Sequence, residues 1–278
     1  GTVTMTLIDG TEYASGLENT AVGAWAMRRA SGGSANTAIG DSSLVQLENG
    51  IENVAVGVDA LKWTKQTSHN VAIGVSTMAN LSGTASYTDA NNQVQLFNSD
   101  GNTAIGTRAM ELTVYGSNNI AVGTEALFSR NNMNSVAIGN QALFNVTNIP
   151  DDSNFSMVSD ASNIDEWIQK TDNPSTTLDE SAYGLAGNIA IGPGAFASPQ
   201  SSTSTFTEIS TSNIAIGHMS MNSTTKATSG NIAIGSQSLP VMETGGGHIS
   251  IGQYTLNQLE EGRQITAVGN LATKNLKR

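Results

Sequence analysis

Cysteine is absent from this 278-residue chain. That excludes disulfides, thiolate zinc sites and cysteine nucleophiles together, and leaves the redox compartment undecided. Proline is scarce, at 5 residues, and charged residues make up 13%, about half the usual share. Basic residues are fewest: Lys+Arg 12 stand against Asp+Glu 23, a net charge of -11. A nucleic acid or an anionic membrane would need a basic stripe, so neither is an expected partner. No run approaches 18 apolar residues, so no helical membrane span is expected. No basic-plus-apolar leader follows Gly1, and the chain reads as a mature product or a fragment. What abounds is small and polar: 28 Asn, 31 Ser, 30 Thr and 29 Gly. That composition favours turns and short strands over helices.

A repeat dominates the sequence. Its pattern is Asn-x-Ala-(Ile/Val)-Gly-x-x-(Ala/Ser/Thr)-(Leu/Met/Phe), with the glycine at Gly23, Gly40, Gly57, Gly74, Gly106, Gly123, Gly139, Gly192, Gly217, Gly235, Gly252 and Gly269. The basic interval is 17 residues, with slips to 16 and 18 and three long intervals of 32, 53 and 25. The long intervals place insertions near 82–101, 145–187 and 198–212; the 53-residue one has room for a degenerate extra coil. An entry segment (1–18) precedes coils at 19–81, 102–144, 188–197 and 213–273, and Lys274, Lys277 and Arg278 fall in a basic exit tail (274–278).

Each repeat position has a physical reading. Before the glycine stands Val22, Ile39, Val56, Ile73, Ile105, Val122, Ile138, Ile191, Ile216, Ile234, Ile251 or Val268. Two residues earlier comes Thr, Val or Ile, with Ala between in eleven copies and Ser250 in one. Period-two spacing of β-branched residues predicts a strand with the Val/Ile column as the repeat core. The glycine marks a backbone position that excludes a side chain or needs positive φ. Four residues on, Leu, Met or Phe is expected to turn into the same narrow core, and the following polar stretch, such as 62–69, is placed outside. Asn at the first position in nine copies (Asn19, Asn36, Asn53, Asn70, Asn102, Asn119, Asn188, Asn213, Asn231) can stack as an amide ladder. A unit this short buries no core alone; twelve stacked at about 4.8 Å would give a rod of roughly 58 Å. Both strand faces are apolar and a two-layer roll has one interior, so the second face needs a cover. The same strand from another copy supplies it, which predicts a homo-oligomer around a common axis.

Asn36-Thr37-Ala38-Ile39-Gly40, Ser135-Val136-Ala137-Ile138-Gly139 and Asn231-Ile232-Ala233-Ile234-Gly235 resemble the head repeats of YadA-type trimeric autotransporter adhesins. The 17-residue period, with units such as Gly123-Thr124-Glu125-Ala126-Leu127, is closer to a related group in phage tail fibres, often ahead of an endosialidase-type chaperone. The resemblance covers about 19–81, 102–144, 188–197 and 213–273. It implies an all-β, left-handed parallel β-roll of about twelve coils, assembled as a homotrimer. It also implies an extracellular place, on a virion tail fibre or a bacterial surface, among other fibre or virion proteins.

The insertion 145–187 holds eight carboxylates (Asp151, Asp152, Asp160, Asp165, Glu166, Asp172, Asp179, Glu180) against Lys170 alone, so −7 of the chain's −11. Three readings stand beside each other: a solvated decoration, a receptor-contact module and a calcium site, although no Asp-x-Asp-x-Asp-Gly order is present. Receptor-contact candidates for a cell-surface glycan or protein are Trp167, Phe155 and Tyr183, with Tyr87 and Phe97 in the insertion 82–101. Asp165 with Glu166, or Asp179 with Glu180, would be the carboxylates of a glycan-cleaving alternative. No catalytic residue is assigned and the chain is expected not to be an enzyme. No cofactor is expected, calcium being the one alternative. His69, His218 and His248 fall in different coils and read as structural, although each would recur as a ring of three about a threefold axis. Gly245-Gly246-Gly247 precedes a strand, not a helix, and reads as a turn rather than a phosphate loop. Adhesive fibre segment is the leading function, with glycan depolymerase and inert spacer as alternatives.

Overall fold

The computed structural model describes residues 18–88, 94–128, 132–144, 185–197, 212–224, 228–257 and 259–273. Among them the chain is all-β and folds as a solenoid of parallel strands, with no helix. One parallel sheet of twelve three-residue strands runs its length, from Thr20–Val22 and Thr37–Ile39 through Val54–Val56 to Thr266–Val268. Eleven strands are the predicted β-branched–Ala–β-branched triplet and the twelfth has Ser250 at its centre; central residues meet central residues and β-branched ones meet β-branched ones, as in Ala137 with Ala190 and Ile138 with Ile191.

The insertions leave this register intact. Val71–Ile73 pairs directly with Thr103–Ile105, Val136–Ile138 with Ile189–Ile191, and Ile189–Ile191 with Ile214–Ile216. The 53-residue interval therefore contributes no further strand between its flanking neighbours in the sheet. Within 82–101 the described part is an antiparallel hairpin, Thr84–Thr88 with Val94–Asn98, whose ends close where Ser99 N–H donates to the Gly83 carbonyl at 3.0 Å.

The structure reverses one prediction. Val22, Ile39, Val56, Ile73, Ile105, Val122, Ile138, Ile191, Ile216, Ile234, Ile251 and Val268 do not form the chain's own core; they lie on the outer face of the sheet, half-buried to exposed. The intervening column points inward, from Ala21 through Ala137 to Ala267, with exposures of 0–4%. The cause is space. The Leu/Met/Phe column, with Met27, Leu44, Leu61 and Phe196 fully buried, fills the interior from the opposite side and leaves only methyl-sized room for the strand. The polar stretch after it is not wholly outside either: Thr64 and Thr67 are buried, as are Leu47 and Leu81 at the corresponding turns.

The glycine earns its place on both counts expected of it. Gly123 has φ +131, and a Cβ there would lie 2.6 Å from the carbonyl oxygen of Gly139 in the next coil. Non-glycine residues also adopt left-handed conformations at recurrent places: two residues after the glycine (Ser42, φ 56), four after it (Leu44, φ 49) and five before it (Glu52, φ 56). Each such residue costs roughly 1–2 kcal/mol. Inter-coil backbone bonds hold them there: Ser42 N–H donates to Ala24 O at 2.9 Å, Leu44 N–H to Ala60 O at 3.0 Å and Glu52 N–H to Ser34 O at 3.0 Å.

The asparagine ladder forms as predicted. Asn36 Nδ2 donates to Asn19 Oδ1 at 3.0 Å, Asn53 to Asn36 at 3.0 Å, Asn70 to Asn53 at 3.2 Å and Asn102 to Asn70 at 2.9 Å. Every rung also accepts the backbone N–H of the next, as Asn53 N–H to Asn36 Oδ1 at 2.9 Å. The side chains satisfy backbone groups that burial would otherwise orphan; Asn53 Nδ2 also reaches the Thr67 carbonyl at 2.7 Å.

Candidate interaction face

Among the described residues, the outer face of the twelve-stranded sheet is an extended surface that the chain leaves open. Strand alternation puts two columns outward, one on each side of the buried Ala. Ile39 is 41% exposed, Ile120 43%, Ile138 39% and Val268 65%. Twelve strands at about 4.8 Å, each about 10 Å long, make a strip of roughly 580 Å². That is at the upper end of the apolar patch that a soluble monomer carries. Between its two edge strands the backbone is engaged in the sheet's own parallel pairing, so the face offers Val, Ile and Thr side chains for packing.

Away from this face the surface mixes exposed hydrophobics, such as Trp25, Val58, Val75, Met219 and Leu271, with polar side chains that pair locally. Arg108 bridges coils, with Nη1 2.6 Å from Glu125 Oε1 and Nε on Glu111; Gln141 Nε2 donates to Glu125 Oε2 at 2.9 Å. The Glu111 hydrogen bond holds the Arg108 guanidinium above its ordinary range. Arg108 also lies over the Phe128 ring at 4.7 Å, and Phe128 stacks on Phe144 at 5.3 Å. At this exposure such pairs add little stability.

The sequence-predicted binding residues divide sharply. Trp167, Phe155 and Tyr183 lie outside the described residues, as do all eight carboxylates of 145–187 and the tail residues Lys274, Lys277 and Arg278. Tyr87 and Phe97 sit on the hairpin, where the register puts positions 87 and 97 on one face. The three histidines occupy different columns. His69 is exposed beside Glu52, Nε2 to Oε2 3.4 Å; His218 directly follows its repeat glycine; His248 is fully buried in the asparagine column. There it continues the ladder by another chemistry: its N–H donates to Asn231 Oδ1 at 3.0 Å and its Nδ1 accepts from Ile265 N–H at 3.3 Å. Among the described residues no group of three His, Asp or Glu is placed to hold a metal. Gly245 and Gly246 close a strand, Val241–Gly246, and the chain turns at Gly247 with φ +72, so the predicted turn begins later than expected.

The exposure of the Val/Ile columns is what sequence reasoning missed. A signal was present: the Leu/Met/Phe column already fills a narrow interior. No protein-family model, curated protein or solved structure matches the chain.

Proposed function

We propose that the chain is a structural and adhesive segment of a trimeric surface or tail fibre, a left-handed β-roll of about twelve coils of the YadA-like head type. Its outer sheet face packs against the same face of two other copies, and its insertions are presented for attachment to a cell-surface glycan or protein. The observation that carries this reading is the outward strip of Val, Ile and Thr running the whole sheet. The match is one of spacing: a row of side chains repeating at about 4.8 Å meets every strand only with a partner of the same repeat, and another copy has it. Three copies of a weak contact then act together through effective concentration. The fibre role belongs outside the cell, on a virion tail or a bacterial surface.

Two measurements test the proposal. Light scattering is expected to give about three times 28.8 kDa, and a well-folded monomer at micromolar concentration refutes the assembly. Replacing 145–187 by a polar linker of about ten residues is expected to keep the trimer and weaken attachment to target cells or glycans, since long loops cost little extra closure entropy. Unchanged binding with intact assembly moves the receptor contact elsewhere and favours an inert spacer. New reducing ends on incubation with surface glycans would instead favour a depolymerase.

A further inference from the structure

Two properties change along the rod, and both change towards the same end. The first lies on the outer face. The first six strands of the sheet, Thr20–Val22 to Ile120–Val122, carry four Ile and three Thr at their outward positions; the last six, Val136–Ile138 to Thr266–Val268, carry nine Ile and one Thr. The second lies in the interior. Three residues after the repeat glycine the first six coils place Ser43 and Thr77 among four Ala, and the last six place Ser220, Ser238 and Thr255 among three, with a further buried hydroxyl at Ser250 in the strand column. Ser220 Oγ donates to Ala233 O at 3.0 Å, Ser238 Oγ to Ser250 Oγ at 2.7 Å, Ser250 Oγ to Thr255 O at 3.0 Å, and Thr255 Oγ1 to Gly269 O at 2.6 Å. These hydroxyls are satisfied, but a satisfied buried hydroxyl adds little net stability compared with apolar packing. The late coils therefore have the more polar core of their own, with four such hydroxyls against two, and the more apolar outer face.

We infer that the Ile-rich face from Ile189 to Ile251 is where copies of this chain first associate, and that the coils around it fold only as they associate. This rests on the self-association reading above. Earlier coils, with Val and Thr outward, then add to the joined end. The partner is a second copy of this chain, because the gradient matters only if the two rows meet in register.

The test is hydrogen exchange read by mass spectrometry, with particle mass, on the full chain and two triple variants. One variant carries Ile214→Thr, Ile232→Thr and Ile249→Thr; the other carries Val54→Thr, Val71→Thr and Ile120→Thr. Thr already occupies equivalent outward sites at Thr20, Thr37 and Thr103, so the strands themselves tolerate it. The first set is expected to raise the concentration needed for assembly at least about tenfold and to remove protection across 212–257. The second is expected to change it less than about threefold. Pulse labelling during refolding of the unmodified chain gives an independent readout, with amides of 189–191, 214–216, 232–234 and 249–251 protected before those of 37–39 and 54–56. Equal effects of the two sets, or early protection at the other end, overturn the inference while leaving self-association standing. A monomeric unmodified chain overturns both.

Discussion

Replacing Ile138 by Asp separates an outer face that is covered from one that is bare. The side chain is 39% exposed on the isolated chain and packs between Val122 and Ile191 of the neighbouring strands. Full burial of an Ile is worth about 1.5–3 kcal/mol, so roughly 0.6–1.2 kcal/mol at this site remains for a partner to supply. On a bare face Asp would cost the difference in strand preference, about 1 kcal/mol or less, and the roughly 0.9–1.8 kcal/mol of burial already made against Val122 and Ile191. On a covered face it buries a carboxylate without a counter-ion, at several kcal/mol per copy after relaxation, and the site recurs in every copy. Ile138→Asp is therefore expected to give no particle of native mass by light scattering, and no cooperative melt at the native temperature. The neighbouring Ala137 supplies the contrast. It is fully buried, and Ala137→Ile forces three extra carbons into methyl-sized room, costing about 1–3 kcal/mol or more at any protein concentration. Ile138→Asp with native mass and a cooperative melt lowered by no more than about 10 °C would refute the covered face. An unaffected Ala137→Ile would refute the interior assignment.

Three further outcomes follow from the ladder and the glycine column. Asn53→Ala removes the Asn53 amide from Asn36 Oδ1 and the Thr67 carbonyl, and its Oδ1 from Asn70, so roughly 2–4 kcal/mol is expected to be lost in chemical denaturation. Gly123→Ala is expected to cost about 3 kcal/mol, since φ +131 is strained for any L side chain and the added methyl meets the Gly139 carbonyl; melting at unchanged mass would read it. Ser135→Asn puts an amide where the ladder has a hydroxyl side chain, between Asn119 and Asn188, and is expected to raise stability by about 1 kcal/mol; a lower melting temperature would show that the 16-residue spacing there has no room for the rung.

The sequence yields the strands, their pairing partners and the ladder because each has a residue type that little else explains at that spacing. Asn recurring every 17 residues stacks only if the coils align, and they do, even across the interval from Ser135 to Asn188. Which way the strand faced was less legible. Alternation says that Ala137 and Ile138 point to opposite sides and does not say which side is in. Hydrophobicity favours Ile inside, and the structure chooses Ala, because packing within one coil is limited by volume before it is limited by polarity. The left-handed residues were not legible at all. Ser42, Asp59, Glu125 and Gln141 share a conformation and no chemistry, since inter-coil bonding imposes it on whatever stands there. The binding residues were the least legible, because loops carry function without periodicity.

The reversal of the strand also explains why one chain leaves so much apolar surface open. Each coil buries one or two large side chains and a few methyls for about 17 ordered residues, while ordering the backbone costs about 1–2 kcal/mol per residue. The inward Ala column lets the coils stack closely enough for Gly–Gly contacts and the amide ladder, and so fixes geometry more than it supplies apolar burial. The larger Val and Ile side chains, displaced to the outer face, hold the burial that remains to be gained. On the proposed self-association, a solenoid arranged this way meets another copy of itself along the whole face, and stacking and assembly become two stages of one process. Lengthening the rod would then add to both at once, and the register that aligns Ile138 with Ile191 within a chain would also align the outer columns of one copy with those of the next.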